Sequence, residues 1–279
     1  MNGDPWHTVF VAGPPRIALD VMGEGPLLLF LHGIGGNRLN WHLQLPAFAG
    51  DFTAAAWDAR GYGLSDDYEG DLDFSDFSHD LVRVLDHFGA AKAHLCGLSM
   101  GGRVAQDFHA LYPERVATLV LCDTFAGYDA GDPRSGRSQS IEEFVESRIR
   151  PYLDGADPKE RAPLAAGRLM GPNRSDDAVR RAVAASSQLH VESYIKTVRA
   201  SASFSRVENL ANIAVPTLLV FGDVDPLTPP RVGAYMQERI AGSRLAIIED
   251  AGHMTNLERP QPFNAAVLSF LREHRDLAQ

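Results

Sequence analysis

The sequence predicts an α/β protein built on a mostly parallel, eight-stranded sheet flanked by helices. Three observations predict it. Short apolar runs alternate with helix-period stretches along most of the 279 residues. The central runs are apolar without alternation, the pattern of strands buried on both faces. Glycine or proline punctuates most of the joins.

In chain order, 7–12 (HTVFVA) and 16–21 (RIALDV) read as an antiparallel pair at one end, linked by Gly13-Pro14-Pro15. Leu27-Leu28-Leu29-Phe30-Leu31 is a strand buried on both faces. Further strands are expected at Phe52–Trp57, Ala93–Cys96, Val116–Cys122, Thr217–Phe221 and Leu245–Ile248, with helices near 76–89, 100–112, 230–241 and 261–274. From 126 to 210 no strand-like run occurs, and the text turns helical and charged (SIEEFVESRIRPYLDG, DDAVRRAVAASSQL). That segment holds 13 basic and 12 acidic residues, leaving a charge of −11 on the rest. Its 85 residues far exceed an ordinary connection. Residues 1–125 and 211–279 are therefore expected to form one core domain, and 126–210 a helical cap, or lid, over its active site. Ordinary crossover helices with solvated charges are the alternative.

The formal charge of −10 argues against nucleic acid or an anionic membrane as the main partner, because both require a basic footprint. No run approaches the roughly 18 apolar residues of a membrane span. The start, MNGDPWHTVFVAGPP, lacks the basic and apolar segments of a secretory signal, so a cytoplasmic location is expected. Cys96 and Cys122 sit inside apolar runs and read as buried thiols rather than a disulfide. No metal-ligand spacing, dinucleotide fingerprint or P-loop is present, and no metal is expected.

The chemistry centres on Gly97-Leu98-Ser99-Met100-Gly101-Gly102. Gly-x-Ser-x-Gly is weak evidence alone, since a chain with 25 glycines can match it by chance. Here it follows an apolar strand (AHLC) and opens a helical run (RVAQDFHALY), which sets Ser99 on a strand-to-helix turn at a helix N-terminus. A serine hydroxyl needs a base to become a nucleophile. Asp225, in Gly222-Asp223-Val224-Asp225-Pro226, follows the strand TLLVF, and His253, in Ala251-Gly252-His253-Met254, follows LAIIED. Both reach the carboxyl edge of the sheet, where ligands bind in open α/β folds. Ser99 is the expected nucleophile, His253 the base and Asp225 the acid that orients it, with Asp123 and Asp223 as alternative carboxylates. The oxyanion donors expected are the backbone N–H groups of Met100 and of Ile34, the latter in His32-Gly33-Ile34-Gly35-Gly36-Asn37. His32 reads as a loop anchor rather than a second base. Asp58-Ala59-Arg60-Gly61-Tyr62-Gly63-Leu64-Ser65-Asp66 reads as a turn-rich loop held by pairing of Arg60 with the aspartates.

With HGIGGN, DARGYGLSD, GLSMGG, GDVDPLTPP and AGHMTNLERP in order, the chain resembles the α/β-hydrolase superfamily outside 126–210. The resemblance implies the α/β-hydrolase fold, a triad of Ser99, Asp225 and His253, oxyanion donors at Ile34 and Met100, a helical cap and no cofactor. Within the superfamily the chain is most similar to 3-oxoadipate enol-lactonases and related bacterial hydrolases of aromatic breakdown, on WDARG, GLSMGG, TPP and GHMTNLE. The expected partner is a small-molecule ester or lactone substrate, with the protein a monomer or homodimer. A substrate carboxylate needs a cation, for which the cap offers Arg134, Arg148 and Arg168. Relatives with an aspartate nucleophile are set aside, because position 99 is serine. Carbon–carbon bond hydrolases of ring-cleavage products lose ground for lack of a proline loop at Ile34-Gly35-Gly36 and a tryptophan at Met254. A ligand sensor on the same scaffold is the non-catalytic alternative.

Overall fold

The inner strands of the single eight-stranded sheet are buried on both faces because their residues alternate between two cores, whereas the edge strands His7–Val11 and Arg244–Ile248 are largely open to water. The computed structural model describes residues 4–128, 131–135 and 140–278. Residues 1–3, 279 and, within the expected lid, 129–130 and 136–139 lie outside the described residues. In order, the elements are β1 (His7–Val11), β2 (Ile17–Met22), β3 (Leu27–Leu31), α1 (Leu45–Phe48), β4 (Thr53–Trp57), α2 (Asp76–His87), β5 (Ala93–Leu98), α3 (Met100–Leu111) and β6 (Val116–Cys122). Then follow α4 (Ile141–Leu153), α5 (Pro158–Leu169), α6 (Asp176–Ser186), α7 (Val191–Ala202), β7 (Thr217–Gly222), α8 (Pro230–Arg239), β8 (Arg244–Ile248), α9 (Thr255–Glu258) and α10 (Pro260–Glu273).

The sheet order is β1-β2-β4-β3-β5-β6-β7-β8. β2 pairs antiparallel with both β1 and β4, and the remaining pairs are parallel. The pleat of β3 sends Leu29 and Leu31 to a core with Phe77, Leu81, Val104 and Phe108 of α2 and α3. Leu28 and Phe30 face Phe48 of α1 and Phe263 and Val267 of α10. Covering helices on both faces explain the unbroken LLLFL.

Boundaries move by a residue or two from those expected. β5 runs on through Gly97 and Leu98, which register with Leu121 and Cys122 of β6. α1 and α9 are single turns, too short to show a helical period. Cys96 and Cys122 are buried unoxidised neighbours, Sγ to Sγ 3.9 Å. Arg60 does not pair within its own loop. Asp58 is buried under that loop and is filled by the Arg38 N–H (2.7 Å), the Arg38 guanidinium (2.8 Å) and the Leu64 N–H (2.7 Å). Arg60 therefore turns outward to Asp80 of α2 (2.7 and 2.9 Å), and Asp66 pairs with Arg16.

Between β6 and β7 the described residues contain helices and no strand. α4 starts at a capping box, Ser140 with Glu143, and packs Phe144 and Ile149 against Tyr194 and Val198 of α7. α5 and α6 bury Ala166, Ala178 and Ala182 with Met254 and Leu257 from the segment after β8. The inserted helices thus rest on the carboxyl edge of the sheet.

Close backbone packing at that edge is testable at Gly101. A Cβ there sits 2.1 Å from the Leu31 carbonyl oxygen and 2.9 Å from that of His32, both backbone atoms with no flexible end to yield. Gly101→Ala is expected to destabilise the fold by about 1–3 kcal/mol or more, read as a lowered Tm.

Candidate active site

Ser99 is the hinge between β5 and α3, and its backbone is left-handed, with φ +53° and ψ −113°. Such a conformation costs a non-glycine residue on the order of 1–3 kcal/mol and persists only when its surroundings over-determine it. Here the Ser99 N–H donates to the Cys122 carbonyl (2.9 Å) and the Thr124 hydroxyl donates to the Ser99 carbonyl (2.6 Å). Glycines let the turn close: a Cβ on Gly97 would meet the Gly101 carbonyl oxygen at 2.3 Å.

The side chains converge as the motif order implied. Ser99 Oγ lies 2.9 Å from His253 Nε2, and His253 Nδ1 lies 2.8 Å from Asp225 Oδ2. One tautomer satisfies both, with Nδ1–H donating to the carboxylate and Nε2 accepting from the serine. Asp225 Oδ1 takes the N–H groups of Leu227 (2.7 Å) and Thr228 (3.1 Å), and the Thr228 hydroxyl donates to Oδ2 (2.6 Å). Burial alone favours the neutral acid, but the His253 ring and these donors hold Asp225 below the usual carboxylate range. For His253, burial works to lower the pKa, and the charge and hydrogen bond of Asp225, with Asp123 behind, outweigh it and raise the pKa.

A cavity of about 320 Å³ opens above Ser99 and His253. Ile34 and Met100 line it, and neither N–H is taken up by a loop or turn acceptor among the described residues. Its far wall comes from the inserted helices, through Phe144, Arg148, Leu169 and Ser201.

The alpha/beta hydrolase fold family matches residues 26–260. The chain belongs to this family. It is similar to 3-oxoadipate enol-lactonase 2 of Acinetobacter baylyi, 29% identical over 252 residues, 89% of this chain and 90% of that protein. Among solved structures it is similar to a hydrolase from Pseudomonas aeruginosa, with TM-score 0.83 and 30% identity, covering 97% of this chain and 99% of that one. A malate-bound thermophilic esterase from Thermogutta terrifontis superposes with TM-score 0.85 at 27% identity, covering 96% and 99%.

The alternative carboxylates of this hydrolase stand apart from the histidine nitrogens. Asp223 accepts from the Ala251 N–H (3.2 Å). Asp123, fully buried at φ +44°, accepts from the Gly222 N–H (3.0 Å) and from the Thr255 N–H (3.3 Å) and hydroxyl (2.7 Å). It ties the start of the Asp225 loop to the end of the His253 loop. His32 is a loop anchor: Nδ1–H donates to the Gly33 carbonyl (2.9 Å), Nε2 accepts from the Ala59 N–H (3.1 Å), and burial lowers its pKa to about 4.

Two supporting residues escaped the sequence reading. Thr228 stands three residues after Asp225 in an Asx-type turn, a spacing that flags a hydroxyl donor. Glu258 accepts from the N–H groups of Gly252 (3.1 Å) and Met254 (3.2 Å) on either side of His253, and from Gly171 N–H (2.7 Å) in the insert. The long-range bond to Gly171 has no local signal.

Burial and the neighbouring charge of Asp225 raise the Asp123 pKa to about 7, above the unfolded value of about 3.9. The folded chain then binds this proton more tightly than the unfolded chain, so the group stabilises at low pH and loses that contribution as pH rises from about 4 to about 7. Asp123→Asn is expected to flatten the pH dependence of Tm across that window. An unchanged dependence contradicts the assignment.

Proposed function

We propose that this α/β hydrolase cleaves a small carboxylic ester or lactone through an acyl-enzyme on Ser99. The observation that carries the reading is the unbroken hydrogen-bond series from Ser99 Oγ through His253 to Asp225 on the cavity floor. Ser99 Oγ attacks the carbonyl carbon while its proton passes to His253 Nε2. The oxyanion takes the N–H groups of Ile34 and Met100. The tetrahedral intermediate collapses, the C–O bond to the leaving oxygen breaks, and that oxygen takes the proton from His253. Water then attacks the acyl-serine with His253 again as base, releasing the carboxylic acid and restoring the serine proton. In a lactone the leaving oxygen stays on the acyl chain.

We further infer that residues 126–210 act as the cap of a core formed by 1–125 and 211–279. Cavity-lining Phe144, Arg148, Leu169 and Ser201 from α4, α5 and α7 support that role. Likeness to the Acinetobacter enol-lactonase supports an enol-lactone of aromatic breakdown within the substrate class.

Ser99→Ala is expected to cut ester turnover by about 10³–10⁶-fold with unchanged circular dichroism, and to abolish labelling by a fluorophosphonate. Near wild-type turnover in the variant, or folded wild type that fails to label, overturns the mechanism. The neutral form of His253 is the base, and its pKa is raised above the ordinary value of about 6.5. kcat/KM is therefore expected to rise with pH through an acid limb above that value. Asp225→Asn is expected to shift the limb to lower pH and lower kcat by about 10³–10⁴-fold.

A further inference from the structure

Among the described residues three arginines line the cavity that holds Ser99 and His253: Arg103, Arg148 and Arg231. They differ in what already occupies them. Arg103, on α3, is buried, donates to the carbonyls of Ser201 (2.9 Å) and Phe204 (2.7 Å), and lies over the rings of Phe125 and Phe204. It clamps the end of α7. Arg231 is exposed in the first turn of α8, where water and salt screen its charge. Arg148, on α4, is half-buried, with its guanidinium 5.4 Å from the centre of the Phe144 ring and near enough to Tyr194 for its charge to favour the phenolate. Tyr194 is itself buried and braced edge-on by Tyr152 at 5.4 Å.

Among the described residues Arg148 has no carboxylate partner within ion-pair distance. Its neighbour on the same helix, Arg150, pairs with Glu146 and Asp154, so α4 supplies acids to the solvent side and none to the cavity side. The other two cations of the insert named from the sequence do not compete. Arg134 is bound to Asp132 and Glu238, and Arg168 is exposed outside the cavity lining. Behind the cavity wall Asp225 is already engaged by His253, Thr228 and Leu227, which among the described residues leaves the guanidinium of Arg148 without an anion. The charge of Arg148 also weighs against protonation of His253, as expected of a cation near the reacting groups.

A planar fork of donors beside apolar walls, lying over the Phe144 ring, matches a carboxylate bidentately. We propose that Arg148 receives a free carboxylate of the substrate, so that the enzyme favours esters or lactones bearing a second, ionised carboxyl group over neutral ones. This rests on the ester or lactone reading above. Arg148 is then a specificity-determining residue, and α4 is the element that carries it into the site.

The test compares two p-nitrophenyl esters of similar size, the butyrate and the hemisuccinate, on wild type, Arg148→Gln, Arg148→Lys and Arg231→Gln. Wild type is expected to give the higher kcat/KM with the hemisuccinate. Arg148→Gln is expected to lower the hemisuccinate-to-butyrate ratio by about 10–100-fold, and Arg148→Lys is expected to recover part of it. A wild-type preference for the butyrate, a ratio unmoved by Arg148→Gln, or a ratio that follows Arg231→Gln instead overturns the proposal. A binding arm separates its failure from that of the hydrolytic reading. In Ser99→Ala, calorimetric titration with monoethyl succinate and diethyl succinate needs no turnover. The monoanion is expected to bind more tightly, and adding Arg148→Gln is expected to remove the advantage. Equal binding of the two overturns the carboxylate site even where neither ester is hydrolysed by wild type.

Discussion

The left-handed backbone at Ser99 is the constraint on which the other features depend. A serine in that conformation must be held from outside, and here the holding groups are the last carbonyl of β6 and the Thr124 hydroxyl. Both lie on the neighbouring strand or just beyond it. The turn also brings α3 so close to β3 and β5 that Gly97 and Gly101 have backbone where a side chain would begin. The same geometry lifts the serine oxygen above the sheet edge and leaves Met100, at the start of α3, lining the cavity. The proposed nucleophile and one proposed oxyanion donor thus come from one local distortion, whose energetic cost is met by the sheet around it.

Asp225 and His253 are fixed by a second network, running between loops rather than along a strand. Asp123 binds the backbone before Asp225 and after His253 with a single carboxylate, and Thr228 closes the turn that aims Asp225. Each loop needs the other for its hydrogen bonds, so the 2.9 and 2.8 Å contacts of His253 follow from satisfying buried polar groups. A cost accompanies this arrangement. Two carboxylates stand near one imidazole in a buried site, and burial together with the repulsion from Asp225 raises the pKa of Asp123, the one without the ring contact.

How much of this was legible in the sequence depended on range. The elbow, the acid loop and the histidine loop each occupy fewer than ten residues beside an apolar strand, so motif and strand together placed Ser99, Asp225 and His253 at one edge. Asp225 was preferred from its loop position, but Asp123 stayed open as an alternative, because both follow strands that end at that edge. Only the fold shows Asp123 consumed by Gly222 and Thr255. Pairing across the sheet surface was misread for the same reason. Arg60 has aspartates on both sides in sequence, yet its partner Asp80 is twenty residues away on α2. Likewise nothing in the text of the insert distinguishes Arg148 from Arg134 or Arg168, since the distinction lies in which helix face meets the core.

The insert and the catalytic loop are mechanically one unit. The His253 N–H donates to the Leu169 carbonyl at the end of α5 (2.8 Å), and Glu258 bridges Gly252 and Met254 to Gly171. A Cβ on Gly252 would sit 2.3 Å from the Gly171 nitrogen, so the two backbones are in direct contact. Met254 and Leu257 then pack under α5 and α6. Sequence change in these helices therefore acts on His253 as well as on the pocket wall. Freedom to vary is concentrated where the insert leaves this seam, on α4. α7 is tied to the core by the Ser193 hydroxyl donating to Asp67 (2.6 Å) and by Arg103 donating to the Ser201 carbonyl (2.9 Å), whereas α4 packs on α7 and carries Phe144 and Arg148 into the cavity. A core that fixes Ser99, His253 and Asp225, with three anchored helices, thereby leaves α4 to shape the cavity above them.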